Sequence, residues 1–292
     1  LVNVLVLFRE ALFRNSVVNE VLSGAATFLA TYDYGLLFPA QRSGTLLDMT
    51  RDQIRESHGN AGYLVIGTRY STGEDVERTV DELERRDVPF VITNMPMIDR
   101  GINQVVIHTS RATVAMKNLH ELGHRRILVL GGTGIDAEGN FELQLVRGAM
   151  AEYGMPEDVD LIHFADYEFR KAKRAVSTAV ERGVEFTAVF CLARQMAMGA
   201  SQALAEHGLR VPEDVTVSTI AESRFLDYYQ FPFIVTETDY HRMGEEAARL
   251  LITEVDCRSK GVQYRPQTTR IDSKLVISQS ISALAPKEAG NG

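Results

Sequence analysis

Short apolar runs alternate with longer amphipathic stretches along almost the whole chain, and this alternation limits the possible folds most strongly. The apolar runs are typical of buried strands, and the amphipathic stretches repeat apolar residues at helical spacing. The predicted strands are residues 2–8, 34–38, 62–66, 90–93, 104–107, 126–130, 161–164, 188–191, 216–220 and 234–236. The predicted helices are residues 17–30, 76–86, 112–122, 141–153, 171–182, 195–207 and 243–255. Strands separated by helices form parallel βαβ units with right-handed crossovers, so the sequence predicts an α/β fold.

The end of the chain departs from this alternation. Residues 268–271 and 274–278 are two strand-like runs with no helix between them, and we expect them to return to sheets formed earlier. Residues 282–292 are rich in Ala, Pro and Gly and are predicted to form a frayed tail. The 292 residues, of which 45% are hydrophobic, suffice for two cores, because single cores stop growing at roughly 250 to 300 residues.

Composition excludes several classes of protein. The longest apolar runs are far shorter than the ~20 residues needed to cross a bilayer, so no membrane partner is predicted. The formal net charge of −8 disfavours nucleic-acid binding by this segment alone. Cys191 and Cys257 have no companion cysteines, which argues against a disulfide framework and a cysteine zinc site. With no export signal visible, we expect a cytoplasmic protein that carries no cofactor or metal.

One motif invites a metalloenzyme interpretation. The segment HELGH, from His120 to His124, matches the H-E-x-x-H pattern, in which both histidines must lie on one continuous helix to bind zinc. Gly123, followed by basic residues and an apolar run, instead indicates that the helix ends before His124. We therefore predict a structural helix end in preference to a zinc site.

A second motif resembles a dinucleotide-binding loop. Residues 132–137 fit G-x-G-x-x-A after a strand, yet Asp136 and Glu138 follow where a helix should begin, and these carboxylates would repel a phosphate. A loop between strand and helix is the preferred interpretation. The chain contains neither a nucleophile elbow nor a P-loop, and no catalytic groups are seen to converge, so we do not expect an enzyme.

Several segments resemble those of the lactose-repressor (LacI/GalR) family, and they occur in the same order over nearly the whole chain. The segments are LHELGHRRI (119–127) running into GG (131–132), TAVFC (187–191) followed by QMAMGA (195–200), LAEHGLRVPEDV (204–215), MGEEAARLL (243–251) and LVISQS (275–280). The ordered set identifies the chain as resembling the effector-binding and dimerisation core of a bacterial transcription regulator. The main rival is a solute-binding protein of a transporter with the same fold.

The resemblance implies a type I periplasmic-binding-protein-like fold, with two Rossmann-like lobes joined by three chain crossings. The N-terminal lobe is expected at residues 1–107 plus 239–266, and the C-terminal lobe at residues 108–238 plus 267–281. A small-molecule effector would bind in the cleft between the lobes and bias their closure. The resemblance also implies a homodimer that binds operator DNA through an N-terminal helix-turn-helix headpiece, which is absent from this chain.

The predicted effector site departs from the family pattern. The family's pocket arginine corresponds to Leu145, its Asn-Asp pair to Ala193 and Arg194, its Asp-Asp pair to Ala221 and Glu222, and its Gln-Pro to Thr238 and Asp239. The pocket aromatic residue is retained as Tyr167. The complete set of candidate effector-binding residues is Phe8, Arg9, Phe13, Arg69, Leu145, Tyr167, Arg194, Glu222 and Thr238.

These departures make an ordinary hexose doubtful, because carboxylates and bidentate arginines are what discriminate vicinal hydroxyls. Arginines and aromatic rings suit an anionic or aromatic effector, such as an organic acid or a phosphorylated sugar. The alternative is that the arginines face solvent or pair with Glu222 and Asp239. Loss of the polar anchors would also be expected in a regulator that no longer uses a ligand.

Overall fold

The chain folds into two α/β units in a computed structural model that describes residues 1–6, 16–38, 61–67, 73–95, 97, 100–108, 110–132, 141–221 and 232–277. One unit comprises Leu1–His108 and Asp239–Asp272, and the other comprises Thr109–Thr238 and Ser273–Gly292. The predicted frayed tail, residues 282–292, lies outside the described residues.

The first unit contains a six-stranded sheet formed by β1 (Val2–Val6), β2 (Leu36–Leu37), β3 (Gly62–Ile66), β4 (Phe90–Thr93), β5 (Asn103–Ile107) and β11 (Thr268–Ile271). All six strands are parallel, and their order across the sheet is β11-β5-β4-β3-β1-β2. Its described helices are α1 (Ser16–Ala30), α2 (Gly73–Arg85) and α7 (Tyr240–Ser259).

Both faces of this sheet are buried, which explains the continuous apolar runs of its strands. Leu64 and Ile66 belong to the apolar cluster shared with α1 and α7, whereas Tyr63 and Val65 belong to the cluster shared with α2. Successive side chains of one strand therefore supply opposite clusters, as the two-residue repeat of a strand requires.

The second unit repeats the arrangement with a sheet formed by β6 (Ile127–Gly131), β7 (Ile162–Phe164), β8 (Ala188–Cys191), β9 (Thr216–Ile220), β10 (Phe233–Thr238) and β12 (Ser273–Ile277). The order of these strands across the sheet is β12-β10-β9-β8-β6-β7. Its described helices are α3 (Arg111–Glu121), α4 (Phe141–Glu152), α5 (Phe169–Glu181) and α6 (Arg194–Glu206), with a 3-10 turn at Val159–Leu161. The predicted α/β class with parallel sheets is confirmed, and β12 alone among the paired strands described runs antiparallel to its neighbour.

One assignment made from the sequence was wrong. Residues 267–272 were expected in the C-terminal lobe, but β11 pairs in parallel with β5, and the His108 amide donates to the Ile271 carbonyl at 2.9 Å. His108 and β11 therefore both belong to the first unit, and the chain returns to the second unit only at Ser273. A four-residue strand can extend either sheet, so its own sequence did not distinguish between them.

Candidate functional site

Five strands of the second unit end at the same edge of their sheet, which we call the carboxyl edge. At this edge β6, β7, β8 and β9 are followed by Gly132, Ala165 to Tyr167, Leu192 to Arg194, and Ala221, and β10 ends there at Thr238. Ligands of open α/β sheets bind at this edge, because the strands point their loops and helix N-termini toward it. Among the predicted site residues, Tyr167, Arg194 and Thr238 therefore all lie at the carboxyl edge.

Tyr167 is the most tightly specified of these residues. Its ring lies so close to Gly132 that a Cβ added to that glycine would be 2.4 Å from the tyrosine Cζ and hydroxyl oxygen. Gly132 is buried, so the phenol end of Tyr167 lies against the backbone just after β6. The first glycine of the dinucleotide-loop pattern thus leaves room for an aromatic ring, and the rest of that pattern, residues 133–137, lies outside the described residues.

Tyr167 lies in an unusual backbone conformation. Asp166 has a φ of 48° and Tyr167 a φ of 59°, so two consecutive residues with side chains occupy the left-handed region. Each such residue costs about 1–3 kcal/mol and persists only where the surroundings enforce its conformation, and residues of this kind concentrate at functional sites. The Asp166 amide donates to the Gly132 carbonyl at 2.9 Å, and the Glu168 amide donates to the Ala165 carbonyl at 2.7 Å.

A lysine from the first turns of α5 also contacts this segment. Lys171 Nζ is 2.6 Å from Asp166 Oδ2 and 2.9 Å from Glu168 Oε1. Hydrogen bonds to Asp166 and Glu168 raise the pKa of Lys171. Sequence analysis missed Lys171, although a lysine three residues after Glu168 is a recognisable helical ion-pair spacing.

Arg194 begins α6, directly after β8. Its side chain is half-buried, and the residue before it, Ala193, provides no side-chain cap for the helix. Leu145 is half-buried on α4 and packs against the core of the unit, so it presents no polar group in place of the family arginine.

Thr238 ends β10 and is buried, with 6% of its surface exposed. Its hydroxyl lies 2.9 Å from the Ser273 hydroxyl, its partner in the antiparallel ladder with β12. The Thr238 side chain therefore links β10 to β12, the last strand of the chain described. Asp239, the next residue, accepts a hydrogen bond from the Arg242 amide at 2.9 Å and caps α7, which gives this carboxylate a structural role.

The remaining predicted residues, Phe8, Arg9, Phe13, Arg69 and Glu222, lie outside the described residues. The first unit nevertheless shows one polar residue at its own carboxyl edge that sequence analysis missed. Asn94 follows β4 with a φ of 63°, and its Nδ2 donates to the Gly67 carbonyl at 3.3 Å. Asparagine directly after a buried strand was the available signal, since it is one of the residues that tolerate the left-handed region.

The H-E-x-x-H segment does not form a metal site. The helix α3 ends at Glu121, Gly123 has a φ of 91°, and His124 lies beyond the helix, as predicted. Arg125 donates to the His120 carbonyl at 2.8 Å, while His124 Nδ1 lies 2.9 Å from the Thr187 hydroxyl. Burial, together with the nearby Arg125, lowers the pKa of His124. Within the described ranges, no three potential metal-binding side chains cluster.

A shallow groove lies at the opposite, amino edge of the second sheet. It is lined by the residues that precede β6, β8 and β9, including Arg125, Phe186 and Asp214. Asp214 accepts hydrogen bonds from the Arg210 guanidinium and from its backbone amide, and these bonds lower the pKa of Asp214 to about 2. This carboxylate closes a turn before β9 and is not available as an acid or base near neutral pH. Among the described helices, none is both long and apolar enough to span a membrane.

Comparison with known proteins places these features in a family. The chain is 27% identical over 201 residues to the HTH-type transcriptional regulator CelR of Thermobifida fusca, a match that covers 68% of the chain and 58% of CelR. It is 25% identical over 243 residues to the HTH-type transcriptional repressor PurR of Vibrio cholerae, covering 82% of the chain and 71% of PurR. The chain thus spans less than two thirds of the length of CelR.

A solved structure shows the same fold. The structure of a CelR–cellobiose complex superposes with a TM-score of 0.75 at 23% identity, covering 96% of this chain and 84% of that one. The relatives are transcriptional regulators rather than enzymes, which confirms the resemblance to the lactose-repressor family. The model of the periplasmic binding protein-like domain matches residues 116–281, more than half of the chain. The chain belongs to the periplasmic binding protein-like domain family.

Proposed function

We propose that this chain is the ligand-sensing and dimerisation core of a LacI-type transcription regulator, and that its effector binds at the carboxyl edge of the second sheet. The main observation behind the proposal is that the Tyr167 ring packs closely against Gly132 at that edge, in a chain whose relatives are named HTH-type transcriptional regulators. A ligand that binds one conformation more tightly shifts the population toward it, which is how such a core would control operator binding.

The rival function, a transport solute-binding protein, has less support. The relatives described above are named transcriptional regulators over most of this chain, and none is named as a transport component. The coding sequence upstream of this segment distinguishes the two functions. A helix-turn-helix there supports the regulator, whereas a secretion signal would contradict it.

The effector is proposed to be anionic. Arg194 stands at the first turn of a helix whose dipole also favours negative charge, and Leu145 replaces a polar anchor with an apolar side chain. A guanidinium can bind a carboxylate or phosphate with two parallel hydrogen bonds, whereas it offers neutral hydroxyls less discrimination. A phosphorylated sugar or a small organic acid satisfies this chemistry.

Calorimetric and thermal-shift titrations with glucose and glucose 6-phosphate test the charge requirement, because the two ligands differ only in the phosphate. We expect the phosphate to bind and raise the melting temperature, since a ligand present at 100 times its Kd stabilises the native state by about 2.7 kcal/mol. A panel of organic acids and other sugar phosphates extends the same test. Tighter binding of glucose than of any anion would refute the anionic effector, as would an entire anionic panel without a shift.

The variant Arg194→Gln tests the assigned residue. It should weaken binding of the anionic ligand at least about ten-fold, because a charged hydrogen bond contributes about 1.5–3 kcal/mol. Lys173→Gln is the matched control, since Lys173 is also a cation of the second unit but pairs with Glu206 at 2.7 Å, on the surface between α5 and α6. Equal losses in the two variants would show a general effect of charge rather than a contact at the site.

A further inference from the structure

The segment Asp166–Tyr167–Glu168, which we call the corner, connects β7 to α5. Its first two residues hold left-handed backbone angles, and neither is a glycine. The close approach of Tyr167 to Gly132 depends on those angles, because the backbone at Tyr167 fixes the direction of its side chain. Some part of the surrounding structure must therefore hold the corner against relaxation to an ordinary right-handed or extended conformation.

Lys171 is placed to do this. Its ammonium contacts Asp166, the residue before Tyr167, and Glu168, the residue after it, at 2.6 and 2.9 Å. The Lys171 ammonium thus binds the carboxylates of both residues that flank Tyr167. Since Lys171 lies on the helix that follows, it also fixes the corner to a rigid element rather than to another loop.

We propose that Lys171 is a positioning residue for the effector site, which acts by holding the Tyr167 ring in place against Gly132. This inference rests on the proposed function only in taking Tyr167 as one wall of that site. Lys171 itself needs no contact with the effector. Because the Tyr167 ring is already in place before the ligand binds, the binding free energy does not include the entropy cost of ordering it.

The test follows Tyr167 directly in the ligand-free protein. The full chain, labelled with 3-fluorotyrosine, contains ten tyrosines, and the Tyr167 resonance in its fluorine NMR spectrum is identified by its loss in Tyr167→Phe. In Lys171→Met this resonance should move toward the position of a solvated tyrosine and broaden. Lys171→Arg should restore the original position, because it keeps the cation between the two carboxylates.

Lys173→Met is the matched control, because Lys173 lies two residues further along α5, is similarly exposed, and pairs with Glu206 instead of the corner. It should leave the Tyr167 resonance unchanged. An unmoved resonance in Lys171→Met would overturn the proposal, as would an equal movement in Lys173→Met.

A titration with glucose 6-phosphate provides the functional arm. Lys171→Met should weaken binding about five-fold, the size expected when a half-exposed ion pair is lost, while Lys173→Met should not weaken it. If Tyr167 moves and affinity does not fall, Lys171 positions the ring but the ring is not a wall of the site. If glucose 6-phosphate does not bind the parent protein, the proposed anionic effector is in question, and the fluorine spectra still decide the role of Lys171.

Discussion

In the first unit two helices, α1 and α7, cross with reciprocal glycines, whereas in the second unit the crossing of α5 and α6 contains one. A Cβ on Gly24 would lie 1.8 Å from the His241 carbonyl oxygen, and one on Gly244 would lie 1.9 Å from the Val21 carbonyl oxygen. In the second unit, a Cβ on Gly199 would lie 2.3 Å from the Phe169 carbonyl oxygen. The two units thus share one α/β architecture but differ in how closely the backbones of their packed helices approach each other.

The largest effect is expected from Gly244→Ala in the first unit. The new methyl group would meet backbone atoms of α1, which cannot rotate away as a flexible side chain could, so the helices must separate. We expect a loss of about 3 kcal/mol in the free energy of unfolding, since overpacking typically costs 1–3 kcal/mol and sometimes more. Hydrogen exchange followed by mass spectrometry should show loss of protection in β3 and not in β8, because the two units have separate cores.

A matched control for this substitution is Gly148→Ala. Gly148 lies within α4, and nothing would stand within 4 Å of an added Cβ. Alanine should therefore stabilise that helix by about 0.5–1 kcal/mol. If Gly244→Ala behaved like Gly148→Ala, the close crossing of α1 and α7 would not exist in solution.

The second unit should respond less to the equivalent change. Gly199→Ala introduces one backbone clash, and no glycine on α5 marks a reciprocal contact, so a small shift of α6 relieves most of it. We expect a loss of about 2 kcal/mol, with reduced exchange protection in β8 instead of β3. A loss greater than that of Gly244→Ala would reverse the comparison and identify α5 and α6 as the tighter pair.

Most of the fold could be predicted from the sequence, because each unit is built of βαβ repeats, in which strands form continuous apolar runs and helices repeat apolar residues at helical spacing. Strands buried on both faces give unbroken apolar runs, and Gly123 predicts the end of α3 on its own. The unit to which β11 belongs could not be predicted, since only Ile271 among its four residues is buried and the strand carries no preference for either sheet.

The candidate site was predictable in residue type but not in geometry. Tyr167 could be named from the family pattern, but its left-handed backbone could not, because the contacts around it come from Gly132, 35 positions away, and from the ion pair of Asp166 with Lys171. Local sequence does not specify such a conformation for a tyrosine, because tertiary contacts enforce it. For Asn94 the residue type was a local signal, but its hydrogen bond to the Gly67 carbonyl of a neighbouring strand end could not be predicted from the sequence.

The smallest effect expected is a difference in how the two units respond to pH. In the first unit, burial raises the pKa of Glu254 above 4.5, although Arg258 and Asn103 favour its ionised form and Asp87 opposes it. Folding therefore favours the protonated carboxyl, and this contribution is lost as pH rises from 4.5 through the folded-state pKa. In the second unit the Asp214 pKa falls from 3.8 to about 2, so its contribution is present above pH 3.8 and lost as pH falls toward 2.

Denaturant unfolding at a series of pH values, with exchange protection read separately in β3 and β8, measures both contributions. Relative to the parent protein, Glu254→Gln should remove the decline of first-unit stability above pH 4.5, and Asp214→Asn should remove the decline of second-unit stability below pH 3.8. The second change should be slight, since the Arg210 side chain is 70% exposed and solvent screens the pair. The protein loses stability when Glu254 ionises and when Asp214 is protonated. Parallel pH responses in the two variants would therefore contradict the opposite environments of these two carboxyl groups.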